Sequence, residues 1–119
     1  DPRAIKGTGV TYATSPMGAD HTAGLTIRAN IDHLDPEGQI EASRTAQYKM
    51  AGMDSLGACL MAGFGFGDAP GVIQELLKAR FGWDLPDEYL SQLGKDTIRM
   101  EREFNRKAGF TESDDRLPE

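Results

Sequence analysis

The chain has 119 residues, which is enough for a single domain with one modest hydrophobic core. Its formal net charge of −6 disfavours nucleic acid and anionic membrane surfaces as partners. The single cysteine excludes an internal disulfide, and it excludes a zinc or iron–sulfur centre built from several cysteines of this chain.

Glycines and β-branched residues make the start of the chain ambiguous. Residues 5–14 predict a short helix or a strand. Ser15-Pro16-Met17-Gly18 predicts a turn, because proline presets φ and glycine accepts a positive φ. His21 follows this turn, where side chains project into clefts, and is therefore a candidate functional residue. Residues 25–31 predict a strand or the start of a helix.

The middle of the chain favours helix. A break at residues 35–38 precedes a composition rich in helix formers over residues 39–53. An interruption is predicted at residues 52–54, before a second helical run over residues 55–63. Residues 63–67 then predict a flexible apolar loop.

The last third of the chain predicts two further helices. Asp68 is a predicted N-cap with Pro70 in the first turn, and Gly82 is the predicted end of that helix. The clearest helical pattern covers residues 87–108. These patterns predict one all-α domain over residues 1–119, an irregular bundle of four or five helices with long Gly-rich connections.

The segment around the only cysteine combines three kinds of group. If it is helical, Cys59 lies on a buried apolar stripe, and Asp54 stands about 140° away as a cap at the helix start. Gly57 leaves the backbone bare between them. A carboxylate, a bare backbone and a thiol together suit the polar edge of a cofactor. The alternative is a capped core helix with an inert buried cysteine.

Other ligand motifs fail on their spacing. The glycines of residues 63–67 lack the third glycine of a dinucleotide loop and a following Walker lysine, and they indicate close packing or a hinge. A calcium loop aligned on Gly38 places Arg44 where a bidentate Glu is required. Neither histidine has the helical partner of a zinc site. Glu101 lies either at the edge of the last apolar stripe or in a buried, partnered position.

Three segments in order resemble the tungsten-containing aldehyde ferredoxin oxidoreductase family. Residues 12–21, Tyr-Ala-Thr-Ser-Pro-Met-Gly-Ala-Asp-His, resemble one of its loops. Residues 54–59, Asp-Ser-Leu-Gly-Ala-Cys, resemble its Asp-x-x-Gly-Leu-Cys motif. Residues 101–119 resemble its Phe-Asn-x-Arg-x-Gly-Phe segment and the following Asp-Asp-x-Leu-Pro. Met17, where the family often has Arg, and Ala58, which replaces a larger aliphatic residue, depart from the pattern.

The resemblance implies a helical C-terminal portion of a larger enzyme that oxidises aldehydes to carboxylates and passes electrons to ferredoxin. It implies a tungsten or molybdenum bis-pterin and one [4Fe–4S] cluster in the parent protein. Cys59 would be the fourth cluster ligand, and the other three cysteines would lie outside this chain. Asp54 would bind a pterin, with Leu56, Gly57 and Ala58 near it through their backbone. His21 would stand near the metal and the substrate.

The chain opens on Asp1-Pro2 and stops at Pro118-Glu119, so we expect a piece of a larger protein. Because one thiolate cannot hold four irons, this piece by itself is expected to be inactive and to bind no cluster. The remaining domains of the parent chain are expected partners, and a homo-oligomer is an open possibility. No secretory signal or membrane-length apolar run is present, so a cytoplasmic protein is expected. Two alternatives stay open: a non-catalytic helical binding or assembly domain, and a family member acting on another substrate such as an aromatic thioester.

Overall fold

A computed structural model describes residues 3–66, 69 and 71–117 of the chain. Two 3₁₀-helices lie at His21–Ala23 and Glu112–Asp114. The described residues contain no strand, so the predicted all-α class is confirmed. Five α-helices are present in this part of the chain: α1 Lys6–Thr14, α2 Gln39–Ser55, α3 Leu60–Phe66, α4 Val72–Phe81 and α5 Tyr89–Lys107.

Several local predictions are corrected by this architecture. Residues 25–31 form turns and bends rather than a strand or a helix start. Helix α2 continues through the predicted interruption at 52–54, and the next helix, α3, includes residues 63–66 of the predicted loop. The predicted cap at Asp68 and Pro70 lies outside the described residues, whereas Gly82 does end α4, with φ 74°.

Helices α2 and α5 form the principal packing of the fold, and glycine lets them approach closely. A Cβ placed on Gly94 of α5 would lie 1.8 Å from the Tyr48 carbonyl oxygen and 2.8 Å from the Gly52 nitrogen of α2. A Cβ placed on Gly52 would lie 2.3 Å from the Leu90 carbonyl oxygen. Because Cβ atoms would collide with backbone on both sides, only glycine at these two positions permits this crossing.

The interior between α1, α2 and the first long connection is polar. Thr11 lies at its centre, with its hydroxyl 2.7 Å from the Ser43 hydroxyl and 3.0 Å from the Gly24 carbonyl, to which it donates. The Gln47 amide donates to the hydroxyls of Ser43 and Thr14, both at 3.1 Å. Among the described residues, the buried apolar side chains are only Ala23, Met50 and Met53. Hydrogen bonds therefore complement a thin apolar core.

The chain exposes more surface than a compact protein of its mass. Its accessible surface is 8156 Å², whereas a folded monomer of this size exposes about 6,300 Å². Its radius of gyration is 15.2 Å and its extents are 49 × 36 × 21 Å, against an expected radius of about 13.5 Å. The fold is thus a slab about two helices thick. No described helix is both long and apolar enough to cross a membrane.

Candidate functional site

The connection between α2 and α3 carries the segment that contains the only cysteine. Gly57 has φ 69° and follows the last residues of α2. Its N–H donates to the Asp54 carbonyl at 2.9 Å, and the Ala58 N–H donates to the Met53 carbonyl at 3.0 Å. This pair of bonds is a Schellman motif, which ends a helix at a left-handed glycine. The helical phase assumed from Leu56 onward is therefore broken at Gly57.

Cys59 is exposed, which corrects the prediction that it lies on a buried stripe. It stands one residue before α3, and its sulfur accepts a hydrogen bond from the Met61 N–H at 3.4 Å. An accessible sulfur that already accepts an amide hydrogen bond fits a thiolate ligand, because such bonds stabilise sulfur that carries negative charge. The alternative of an inert core cysteine is wrong.

Asp54 lies in the last turn of α2, not at the start of a helix, so the predicted N-cap role is wrong. Its side chain opens into a cleft of about 240 Å³ between the turn at residues 15–17, α2 and α5. Open space also surrounds Gly57, since a Cβ placed there would meet nothing within 4 Å. An exposed carboxylate beside an unobstructed backbone fits the polar edge of a pterin.

Glu101 of α5 lines the same cleft as Asp54. Burial raises the pKa of the Glu101 carboxyl above its ordinary value, and the negative charge of Asp54 raises this pKa further. Among the described residues, the charged group that shifts this pKa is therefore a like charge. The position of Glu101 on an apolar stripe was the only sequence signal for this pairing, and Asp54 is too distant in the sequence to be identified as the partner.

His21 begins the 3₁₀-helix that packs against α2, and its side chain is 68% exposed. The neighbouring Asp20 carboxylate accepts bonds from the N–H and the hydroxyl of Thr22, both at 2.6 Å. These bonds, the hydroxyl first, lower the pKa of Asp20. The histidine Nδ1 lies 4.0 Å from that carboxylate. Ala23, at the end of the same turn, lines the Asp54 cleft, but His21 itself does not.

The cleft brings together Asp54, Glu101 and Ala23, whereas the other predicted site residues, His21, Leu56, Gly57, Ala58 and Cys59, do not line it. No group of three or more His, Cys, Asp or Glu side chains in the described part of the chain is arranged to hold a metal ion. A single thiolate could hold at most one corner of an iron–sulfur cluster. The exposed Cys59 sulfur and the exposed Asp54 carboxylate are accessible to a ligand that another part of a protein also binds.

Comparisons with known proteins cover the whole of this chain. A sequence model described as "Aldehyde ferredoxin oxidoreductase, domains 2 & 3" matches residues 1–119. The chain is similar to the tungsten-containing aldehyde ferredoxin oxidoreductase of Pyrococcus furiosus, with 35% identity over 99% of this chain and 21% of that protein. The proteins of the same name from Thermococcus kodakarensis and Pyrococcus abyssi are 32% identical over the same shares. The chain spans about a fifth of the length of these relatives.

Proposed function

Because this chain belongs to the aldehyde ferredoxin oxidoreductase family, in the region covered by domains 2 and 3, we propose that it is part of an enzyme that oxidises aldehydes to carboxylic acids with ferredoxin as electron acceptor. The observation that carries the proposal is the match along residues 1–119, which includes all three segments that resemble the family. The relatives are named as tungsten-containing enzymes, which supports a tungsten-containing parent.

Cys59 is proposed as the fourth thiolate ligand of a [4Fe–4S] cluster, with three further cysteines supplied outside this chain. Its exposure and the hydrogen bond from the Met61 N–H support this role. A thiolate needs access to iron, and an amide donor to the sulfur tunes the potential of a bound cluster. The parent protein would pass electrons through this position to ferredoxin.

Asp54 is proposed to accept hydrogen bonds from the N–H groups of a pterin. The backbone of Leu56, Gly57 and Ala58 would lie against the same cofactor, and the open space around Gly57 supports this. A tungsten or molybdenum bis-pterin would supply the two-electron oxidation of the aldehyde. Met17 lines the Asp54 cleft and offers only a weak thioether acceptor where an Arg would donate, so it gives this cleft a more apolar wall.

His21 is proposed to act on the substrate. Its exposed imidazole can donate a hydrogen bond to the aldehyde oxygen, or it can take a proton as water adds to the carbonyl carbon. The Asp20 carboxylate, held by two bonds from Thr22, supplies a fixed negative charge beside the ring.

The experiment that tests the proposal is metal analysis of the full-length parent purified without oxygen. We expect about four irons and one tungsten or molybdenum per chain. Cys59→Ala should lower the iron content, whereas Met61→Ala, an exposed change in the first turn of α3 that keeps the backbone N–H, should leave it unchanged. His21→Ala should lower kcat while both metals stay bound.

Two outcomes would contradict the proposal at different points. A folded parent without iron, tungsten or molybdenum, from cells supplied with all three, would leave a non-catalytic helical domain. A Cys59→Ala protein with a full complement of iron would exclude the thiol as a ligand. The 119-residue chain produced alone should bind no cluster, and its Cys59 should react quickly with a thiol reagent under native conditions.

A further inference from the structure

We propose that the C-terminal half of α5 is a latch that fixes the turn leading to His21, with Arg102 and Asn105 as positioning residues. The latch is defined here as Arg102, Asn105 and Asp115. This inference rests on the proposed role of His21 and adds to it a function for the segment 101–119, whose resemblance to the family leaves its task open. The contacts that support it run from α5 to the backbone of residues 14–18.

Arg102 joins three parts of the chain. Its Nη1 and Nη2 atoms each donate to Oδ2 of Asp115 at 3.0 Å. Nη2 also donates to the carbonyl oxygen of Thr14, the last residue of α1. One guanidinium therefore connects α5, the C-terminal segment and the residue that precedes the turn. A lysine cannot reproduce these contacts, because its ammonium lacks the planar fork of donors.

Asn105 holds the turn itself. Its side-chain Nδ2 donates to the Pro16 carbonyl at 2.8 Å. Its own carbonyl accepts the Phe110 N–H at 3.1 Å, and the Gly109 N–H donates to the Arg106 carbonyl at 3.1 Å. This is a second Schellman motif, with φ 102° at Gly109. The residue that ends α5 through its backbone is thus the one that binds the turn through its side chain.

Short-range hydrogen bonds connect the turn, which Asn105 and Arg102 restrain, to the residue before His21. The Gly18 N–H donates to the Ser15 carbonyl at 3.0 Å, and the Asp20 N–H donates to the Gly18 carbonyl at 2.8 Å. The Met17 N–H donates to the Ser15 hydroxyl at 3.1 Å, and Ser15 is buried. Because the Asp20 side chain then caps the 3₁₀-helix, few free dihedral angles separate the latch from His21.

The tail is held in the conformation that Arg102 needs. Thr111 and Asp114 form a capping box at Glu112–Asp114, in which the Thr111 N–H donates to Oδ2 of Asp114 at 2.7 Å. These bonds place Asp115 beside α5, where its carboxylate meets the guanidinium of Arg102. The latch therefore depends on local structure at both of its ends.

The test uses the full-length holoenzyme with Asn105→Ala and Arg102→Lys. Each change should lower kcat about tenfold, because a displacement of about 1 Å at a reacting group can cost up to about 100-fold in rate. Iron and tungsten or molybdenum contents should stay unchanged. Amide hydrogen exchange of peptides that cover residues 14–21 should become faster.

Matched controls lie on the same helix. Gln92→Ala removes a side-chain amide whose described partner is Asp96, and Arg99→Lys alters a guanidinium paired with the same aspartate. Both controls should stay within twofold of the parent in kcat and should leave exchange of residues 14–21 unchanged. A double variant, Asn105→Ala with His21→Ala, should be no slower than His21→Ala alone, because the latch acts through His21.

The outcomes separate this inference from the proposed function. Unchanged exchange of residues 14–21 in both variants would overturn the latch. An equal loss of kcat with and without His21 would show that α5 acts elsewhere, and this would overturn the positioning role. If His21→Ala alone kept full turnover, the proposed role of His21 and the catalytic purpose of the latch would both fall. Faster amide hydrogen exchange of residues 14–21 would then show only that the latch restrains the turn.

Discussion

At the scale of single residues, the shared cleft of Asp54 and Glu101 makes the stability of the fold depend on pH. Glu101 has a raised pKa because it is partly buried and because Asp54 stands nearby. The native state therefore binds the Glu101 proton more tightly than the unfolded chain does. Stability due to this group is present below its ordinary pKa of 4.5 and is lost as the pH rises through the raised native pKa.

Glu101→Gln should therefore stabilise the chain at neutral pH. We expect a gain of about 0.2–1 kcal/mol in the free energy of unfolding at pH 7, since solvent screens a carboxyl that is largely accessible. At about pH 3, where the carboxyl is protonated in both states, the gain should vanish. Urea unfolding at the two pH values measures both quantities.

Glu103 on the same helix provides a control of opposite sign. Hydrogen bonding to Arg106 lowers the pKa of Glu103, so its stabilising effect is present above the ordinary pKa and is lost as the pH falls. Glu103→Gln should thus weaken the fold slightly at pH 7 and leave it unchanged in acid. Equal effects of Glu101→Gln at both pH values would exclude the like-charge pairing.

The predictions for single residues failed where they assumed that one helix continues and so fixes which residues share a face. Cys59 was expected on a buried stripe because residues 56–64 have helical spacing. Gly57, in a left-handed conformation, ends α2, so residues after it no longer continue the face of that helix. The thiol of Cys59 is therefore exposed. A glycine after a helix is a known end signal, but sequence alone does not distinguish it from a glycine inside a helix. The roles of His21, Asp54 and Cys59 remain predictions.

At the scale of elements, the crossing of α2 and α5 depends on two glycines. Gly94→Ala would place its Cβ 1.8 Å from the Tyr48 carbonyl oxygen, and backbone on both helices would have to move. We expect destabilisation of about 3 kcal/mol or more, at or above the upper end of overpacking effects. Thermal unfolding followed by circular dichroism should show a large fall in Tm.

Gly65→Ala is the matched control for this substitution. Gly65 lies within α3, and a Cβ placed there would meet nothing within 4 Å. Alanine should stabilise this helix by about 0.5–1 kcal/mol, because it loses less backbone entropy than glycine. A Gly94→Ala chain as stable as the parent would show that the two helices do not pack as described.

Helices were predicted correctly from the sequence where a segment strongly repeats the helical spacing of apolar residues. The long amphipathic helix α5 and the helix-ending Gly82 follow from spacing and glycine chemistry. The structure of residues 25–31 could not be predicted in this way, because their β-branched residues are typical of a strand. Their backbone instead forms turns and bends next to the buried Thr26. The contact of Gly52 with Gly94 was also beyond reach, since it joins positions far apart in sequence and depends on tertiary packing.

At the scale of the whole molecule, an exposed apolar surface, here called the apolar ridge, is formed by Met17, Met100 and Phe104. These residues border one shallow cleft together with Glu101, and Phe104 is 73% exposed. The surface of 8156 Å² exceeds that of a compact monomer by about 1,800 Å². This excess is larger than the roughly 800 Å² that one partner buries in a standard interface. The exposed area agrees with a chain that packs against further protein.

The 119-residue chain by itself should therefore self-associate. Light scattering after size exclusion should give a mass that rises with protein concentration, and added salt should strengthen the association by screening the net charge of −6. Phe104→Ser should weaken it, whereas Gln92→Ser on the same helix should not. A chain that remains monomeric at every concentration and salt level would contradict a buried role for this ridge.

The polar interior has a thermodynamic consequence for heating and cooling. Exposure of apolar groups raises the heat capacity on unfolding, whereas exposure of polar groups lowers it. Within the described residues, the interior around Thr11 is filled mainly by hydroxyls and amides rather than by aliphatic side chains. The heat-capacity increment of this chain should therefore be small for its length. Its stability curve should be shallow, so that its resistance to unfolding changes only gradually with temperature on either side of the maximum.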